Sequence, residues 1–425
     1  MRFWDIRRVE NVSLNLQLEN GKLEKPRYNK STSKGFRVLK NGFWGIFEGN
    51  VADDEGLRQA EKNAFTQGDG DIEEIATKGR YRMRVKRDPQ DMSIEEKVEL
   101  LKDLEKIIRD VCVSTKLVYF ENRRVLQYRD SCGSEVEYEV LRTGVSIMGV
   151  GKGRSLQFLS KRQMRVGGYE VLDGVDEKAY EIVEVLPKLV NALAPPSGEM
   201  SVVMDSSLAG VFVHEAFGHA VEADHVLQGA TVLKGRLNEK VADESVTIID
   251  DPTLPEFGFF PFDDEGVRAE KKVIVEDGVL KSFLHSRETA KKLGGVAGNA
   301  RSQGVDVPIV RMSNTYIDTH HYCFDELLEE CRDGVYLVGS RGGETNPATG
   351  YFHFNAQYGY LIKNGELAEM VRDVSLSGNT LEILRNVKIG REIEFDPGFC
   401  GKAGQLVPVS DGSPPVLCRA TVGGA

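Results

Sequence analysis

Two successive prolines, Pro195 and Pro196, stop any helix that reaches them, because neither donates a backbone hydrogen bond and each drives the residue before it out of helical conformation. The "APPSG" stretch around them marks the domain boundary, and the chain differs in texture on its two sides. On the N-terminal side, Leu14, Leu16 and Leu18 alternate with Ser13, Asn15, Gln17 and Glu19, the period of a half-buried strand that Gly21 ends. Asn41-Gly42 signals a hairpin turn inside residues 35–49, and a helix is expected at about 54–66. Ser93 and Glu96 form a capping box ahead of Ile94, Val98, Leu101, Leu104 and Ile108, one apolar stripe of a helix. In "EVEYEVL", Val136, Tyr138 and Val140 alternate with Glu135, Glu137 and Glu139, so one face of that sheet meets water, and a further helix is expected at about 177–194. Helices on antiparallel strands make residues 1–194 an α+β region, with a sub-boundary near 80–92. In residues 197–425 glycine and strand residues dominate, as in "GVYLVGS" and "YFHFNAQYGYLIKNG", which predicts a β-rich domain carrying one buried motif helix.

Length and charge narrow the function classes. A chain of 425 residues suits two or three domains of about 150 residues each. The net charge of -11 argues against general attraction to nucleic acid or anionic membrane, and no run of 18 uncharged apolar residues offers a membrane span. Arg80, Arg82, Arg84 and Lys86 alternate with Tyr81, Met83 and Val85, which reads as the solvated face of a strand rather than a phosphate-binding patch. Charges at Arg2, Asp5, Arg7 and Arg8 occupy the place where a signal peptide needs an apolar run, so a cytoplasmic location is expected. Cys112, Cys132, Cys323, Cys331, Cys400 and Cys418 are scattered without C-x-x-C pairs and read as reduced thiols. "GVGKGRS" at 149–155 lacks the spacing and the Ser or Thr of a phosphate-binding loop and marks a turn.

The chemistry concentrates in "VFVHEAFGHAVEADH", residues 211–225. "MSVVMD" ahead of it is a short strand, and Ser206 or Ser207 is placed to cap a helix carrying both His214 and His219. On a regular helix a four-residue spacing leaves side chains ~40° apart, whereas this five-residue spacing leaves them ~140° apart. A π-bulge restores a common face, and Gly218 is the expected point of deformation. A catalytic zinc wants a third protein ligand and an open position. Glu222, Asp224 and His225 are close in sequence, but a thiolate suits a borderline-soft ion better, and Cys400 lies between Gly398 and Gly401 with Lys402 near enough to lower its pKa. The alternative is a pair of core or surface histidines beside a solvated Glu215, with Cys400 a small buried hydrophobe. A His₂Cys set also suits copper electron transfer, a scheme in which Glu215 has no role.

These pieces resemble the TldD/PmbA family of metallopeptidases, and more its TldD branch. The resemblance rests on "HEAFGHAVEAD" (214–224), "DDEG" (263–266), "DGVLKSFL" (277–284), "RMSNTY" (311–316), "GGETNPATGYFHF" (342–354), "CGKAGQLVPVSDG" (400–412) and the terminal "TVGG". It implies that His214, His219 and Cys400 hold one Zn2+ and that Glu215 is the general acid/base on a zinc-bound water, in a peptidase acting on small, unfolded or peptide substrates. It further implies that a peptide lies extended beside the strand in "GGETNPATGYFHF"; His353 in that stretch reads as a strand-face residue, with a substrate contact as the alternative. The implied assembly is a dimer with a TldE/PmbA-type partner subunit or with a second copy of the chain. TldE-type partners usually lack H-E-x-x-x-H, and this chain retains it. Family members usually begin with an amphipathic helix, whereas this chain starts almost at its first strand. The competing expectation is a non-catalytic binding or regulatory subunit of such a complex.

Overall fold

The long alternating segments of the N-terminal half pair with one another. Strand Phe3–Glu19 lies between Arg27–Lys40 and Ser114–Asp130, antiparallel to both, which places Leu14, Leu16 and Leu18 on one buried face. This computed structural model describes residues 3–424, so of the N-terminal charges Arg2 lies outside the described residues. Phe43–Glu48 closes one edge of the sheet through the hairpin at Asn41 and Gly42, whose φ angles of 52° and 71° are those the turn requires. Glu135–Lys152 follows Ser114–Asp130, and its outer edge is shared by Lys78–Arg82 (parallel) and Leu156–Val166 (antiparallel). "GVGKGRS" forms the end of one of these strands and the turn into the next.

Arg80 and Arg82 are 79% and 80% exposed and face Glu137 and Glu139 across the register at 3.5 and 3.4 Å, while Tyr81 turns inward beside Met83. Arg80 and Arg82 are thus solvated and paired, whereas the strand ends at Arg82 and leaves Arg84 and Lys86 beyond it.

Helix Ile94–Ile108 opens with its capping box: Ser93 N donates to Glu96 Oε2 at 2.7 Å and Glu96 N to Ser93 Oγ at 3.2 Å. With helix Asp176–Leu189 it covers the sheet, and Leu16, Leu101, Leu104, Tyr119, Ile147 and Leu186 share one core. The second helix ends short of the expected residue 194. Leu193 instead pairs in extended form, its N–H donating to Met370 O at 3.0 Å and its carbonyl accepting from Arg372 N at 3.0 Å. Helix Asp53–Asn63 is also shorter than its expected span.

After the prolines, strand Gly198–Met204 pairs parallel with Gly334–Asn346 and antiparallel with Val416–Gly424. Val374–Asn379 links the latter to Tyr351–Lys363, which pairs back onto Gly334–Asn346 and closes a five-stranded barrel. Barrel residues Val202, Met204, Leu337, Phe354 and Leu376 share a core with Phe212 and Val213, so the motif helix packs against the barrel. A second sheet carries the hairpin Glu394–Lys402/Gln405–Ser413, whose second strand lies parallel to Asn314–Ile317. The architecture is α+β, with strands dominating the C-terminal half.

"DDEG" clasps the two halves together. Asp264 takes Arg124 Nη2 at 2.9 Å, and Glu265 takes Arg37 Nη2 at 3.1 Å and the Arg287 backbone N–H at 2.8 Å. Arg287 in turn donates to Asp130 at 2.7 Å, both side chains being fully buried. Removing one partner of a buried pair strands the other charge in a medium of low dielectric constant. Arg287→Met is therefore expected to lower unfolding free energy by about 3–5 kcal/mol, read from denaturant titration. A change under about 1 kcal/mol would show that the clasp contributes little to stability.

Candidate metal centre

The motif helix starts one residue before its expected serine caps. Asp205 takes the N-cap, its Oδ1 accepting from Leu208 N at 2.7 Å and from Gly339 N at 3.0 Å, while Ser207 Oγ donates to Asp396 Oδ2 at 2.8 Å. Helix Ser206–Val211 is regular, Phe212–Phe217 winds as a π-helix and Gly218–Val221 tightens to a 3₁₀ turn. The wide turn brings the two imidazoles onto a common face, with ring centroids 5.4 Å apart and planes at 89°.

The deformation does not sit at Gly218. Gly218 keeps helical angles (φ -59°, ψ -44°), and the departure falls at Phe217 (φ -116°). Glycine is required for another reason: a Cβ at 218 would lie 2.0 Å from the Sδ of Met312, itself fully buried. Gly218→Ala is expected to cost about 1–3 kcal/mol by overpacking. On a Met312→Ala background Gly218→Ala should cost less in a thermal melt than it does in the wild type, and an equal cost would refute the steric account.

Cys400 comes from the hairpin. Its Sγ lies 3.5 Å from His219 Nε2, and donor atoms of His214, His219 and Cys400 all fall within 4.8 Å of one another in a buried cluster. Each histidine has a carboxylate at its other nitrogen. Glu222 Oε2 is 2.9 Å from His219 Nδ1, and Asp411 Oδ1 is 2.6 Å from His214 Nδ1, an ion-pair distance at an angle outside hydrogen-bonding range. Both Nε2 atoms are thereby left to the thiol side, the arrangement by which carboxylates orient imidazole ligands of a metal.

Electrostatics bind the group together. Burial alone would raise the Cys400 thiol, but His214 and His219 override it and hold the pKa down at about 4. Burial opposes charge on His219, yet Glu222 and Cys400 carry it up to about 10, and His214 is raised well above its ordinary value against burial by Asp411 and Cys400. Glu222 is held at about 2, its burial outweighed by His219 and then Lys402.

Lys402 plays a different part from the expected one. Its Nζ points away from the thiol to Glu222 at 3.1 Å and to both Asp224 oxygens at 2.8 and 2.7 Å. Glu222, Asp224 and His225 do lie together, but this ammonium already supplies their cation, and His225 Nδ1 is spent on His219 O at 2.9 Å. The local carboxylates therefore position His219 rather than extend the donor set.

Glu215 stands at the mouth of the cluster, its side chain 36% exposed and its Oε2 3.7 Å from His219 Nε2. All four expected residues converge here. Two nitrogens and one sulfur at this mutual spacing fit bonds of about 2.0–2.3 Å to one tetrahedral ion with a fourth position free. Of the other histidines, His353 is exposed on its strand, His320 and His321 lie with their rings tilted against one another, and His285 is packed against Thr289, where burial and then Lys272 push it down to about 4.

Asp411 carried no signal in the sequence, since only the parallel pairing of Gln405–Ser413 with Asn314–Ile317 brings it behind the helix. Glu222 was visible three residues after His219, the spacing of neighbours on a helical face.

The PmbA/TldA metallopeptidase C-terminal domain matches residues 197–424, the central domain of the same family residues 87–186 and its domain 1 residues 4–67. A metalloprotease of Methanothermobacter thermautotrophicus is 42% identical over 100% of this chain and 96% of its own length. A zinc metalloprotease TldD homolog of Saccharolobus solfataricus is 37% identical over 56% of each chain. A Thermotoga maritima protein described as a candidate modulator of a DNA gyrase superposes with a TM-score of 0.82 at 26% identity, covering 99% of this chain and 96% of that one. Thermococcus kodakarensis TldE shares the fold, with a TM-score of 0.78 at 19% identity over 100% and 97%. This chain belongs to the PmbA/TldD family of metallopeptidases.

Proposed function

We propose that this chain is a zinc-dependent peptidase that hydrolyses small, unfolded or peptide substrates, with His214, His219 and Cys400 as the metal ligands and Glu215 as general acid/base. The observation that carries this reading is the convergence of three soft-to-borderline donors beside a half-exposed carboxylate that none of them neutralises through a short contact. A zinc held there supplies Lewis acidity toward a peptide carbonyl and acidifies a water.

The chain's own residues supply the rest. Glu215 takes the proton of the attacking water on Oε and returns it to the leaving amine, a transfer its exposure permits and the buried Glu222 and Asp411 cannot make. Glu222 and Asp411 hold the imidazoles in orientation, and His219 first and then Lys402 keep Glu222 ionised against its burial. A strand edge suits the substrate: Gly334–Asn346 pairs with Gly198–Met204 only as far as Leu337, after which its pairing is on one side alone, with Tyr351–Lys363. An extended peptide added there gains backbone hydrogen bonds with little side-chain selectivity.

In this reading residues 197–425 form the catalytic unit and residues 1–194 shape access to it. The enzyme works in the cytoplasm as a dimer with a TldE/PmbA-type subunit or a second copy. No helix among the described residues is long and apolar enough to cross a membrane.

Elemental analysis of protein purified without added metal, paired with cleavage of an unfolded fluorogenic peptide, tests the proposal. About one zinc per chain and hydrolysis of the peptide but not of folded proteins is the expected result. A chain that takes up no metal even when zinc is supplied would return the non-catalytic subunit to first place.

A further inference from the structure

A cavity of about 600 Å³ opens between the N-terminal sheet and the outer side of the Cys400 hairpin, and none of His214, Glu215, His219 or Cys400 lines it. Its apolar wall is built of phenylalanines, among them Phe120, Phe257 and Phe399, whose rings meet edge to face, Phe257 and Phe399 at 5.2 Å between centroids. Phe399 is 54% exposed, whereas its neighbour Cys400 is buried on the opposite side of the strand, so the hairpin separates the two sites.

The lining carries three arginines and three carboxylates, yet two of the arginines stand outside ion-pair distance of any of them. Arg142 and Arg301 are 5% and 6% exposed, and neither has a carboxylate partner. Arg142 donates to the carbonyls of Phe257 at 2.8 Å and Phe259 at 2.6 Å, and Arg301 to that of Met312 at 2.6 Å. Carboxylates do line the cavity, but each is engaged elsewhere. Asp264 takes Arg124 at 2.9 Å and Ser302 N at 2.6 Å, Asp263 accepts the N–H groups of Val267 and Ala300, and Glu121 takes Lys97 at 2.8 Å. Burial first, then repulsion from Arg301, pushes Arg142 down to about 9, while burial and then Arg311 push Arg301 down to about 10, with Asp264 opposing both. Two buried guanidiniums without a direct ion-pair partner thus stand at the wall of an aromatic cavity, reached by the charge of Asp264 only through space. Buried cations of this kind are stabilised by an anion that fills their remaining donors.

We propose that this cavity is a second binding site, for a carboxylate carried on an apolar, ring-sized body. The volume suits a ligand of one to three residues' size, since such pockets run about 300–1,000 Å³. Asp264 and Glu121 nearby disfavour a dianion, which leaves a monoanion as the fitting charge. A peptide's C-terminal carboxylate behind an aromatic last residue and a free aryl-alkanoic acid both have this chemistry.

Isothermal titration of the full chain carrying Glu215→Gln, so that no probe is consumed, tests the site without reference to peptidase activity. The probes are 3-phenylpropanoate and alanyl-alanyl-phenylalanine, each as the free acid and as the amide. The acids are expected to bind one per chain and the amides about ten- to a hundredfold more weakly, the range of a charge-assisted hydrogen bond. Tighter binding of the tripeptide acid identifies a peptide terminus as the natural ligand, and tighter binding of phenylpropanoate a free small acid. Arg142→Met and Arg301→Met are each expected to erase the preference for acid over amide, whereas an acid preference that survives in them belongs to another site, the metal centre included. Phe399→Trp, at an exposed lining position, adds a fluorescence reading in a chain with both arginines intact. Amides that bind as well as acids, a preference that persists in both arginine variants, or no binding of either acid at millimolar concentration would overturn the proposal.

Discussion

Glu215→Gln is expected to lower kcat/KM on an unfolded peptide by about 10²–10⁴-fold while metal content stays at the wild-type level. The amide has the size of the carboxylate and the same half-exposed position at the mouth of the donor cluster, 3.7 Å from His219 in the native side chain. It cannot accept a proton from water and deliver it to the leaving amine. Neither remaining carboxylate can take over: Glu222 is fully buried and held by His219 and Lys402, and Asp411 lies behind His214. Elemental analysis and turnover must be read on one preparation, because activity lost together with metal would point to the ligand set instead. A metal-loaded variant with more than about a tenth of wild-type turnover would remove Glu215 from the proton-transfer role.

Cys400→Ser is expected to lose the metal and with it all measurable hydrolysis. Serine keeps the backbone of the hairpin, where Cys400 pairs with Val407, but its hydroxyl is a hard, neutral donor that does not ionise near pH 7. The thiol is held ionised down to about pH 4, chiefly because the two imidazoles override its burial. Ligation follows a proton balance with a definite sign. His219, raised to about 10, and His214, also raised, give up protons when they become ligands, whereas Cys400 is already a thiolate. Zinc uptake by the wild type should therefore release protons and weaken as pH falls, with apparent enthalpies that differ between buffers of different ionisation heat. Cys400→Ser protein that retains about one zinc per chain after mild chelation would exclude the thiolate as a ligand.

Local structure was largely legible in the residues. Alternation at Leu14, Leu16 and Leu18, the Asn41-Gly42 turn and the Ser93/Glu96 box each act within a few residues, and each appears where the pattern puts it. The five-residue interval between His214 and His219 carried more, because two side chains ~140° apart share a face only if the helix widens, and Phe212–Phe217 is a π-helix. Local reasoning failed where a distant atom competed for the same group. Asp205 displaced the serines as cap, Met312 rather than backbone strain accounts for Gly218, and Asp224 drew Lys402 away from the thiol.

The residues alone thus determined the α+β composition, the wide turn of the motif helix and the kinds of donor available. Only the tertiary structure decided that Cys400 stands against His219 across 181 positions, that Asp411 backs His214, and that "DDEG" clasps the two halves. Helical and strand periodicities are set by contacts within about four residues and so repeat in the sequence. Which strand passes behind a helix depends on the packing of the whole core, and no local period records it.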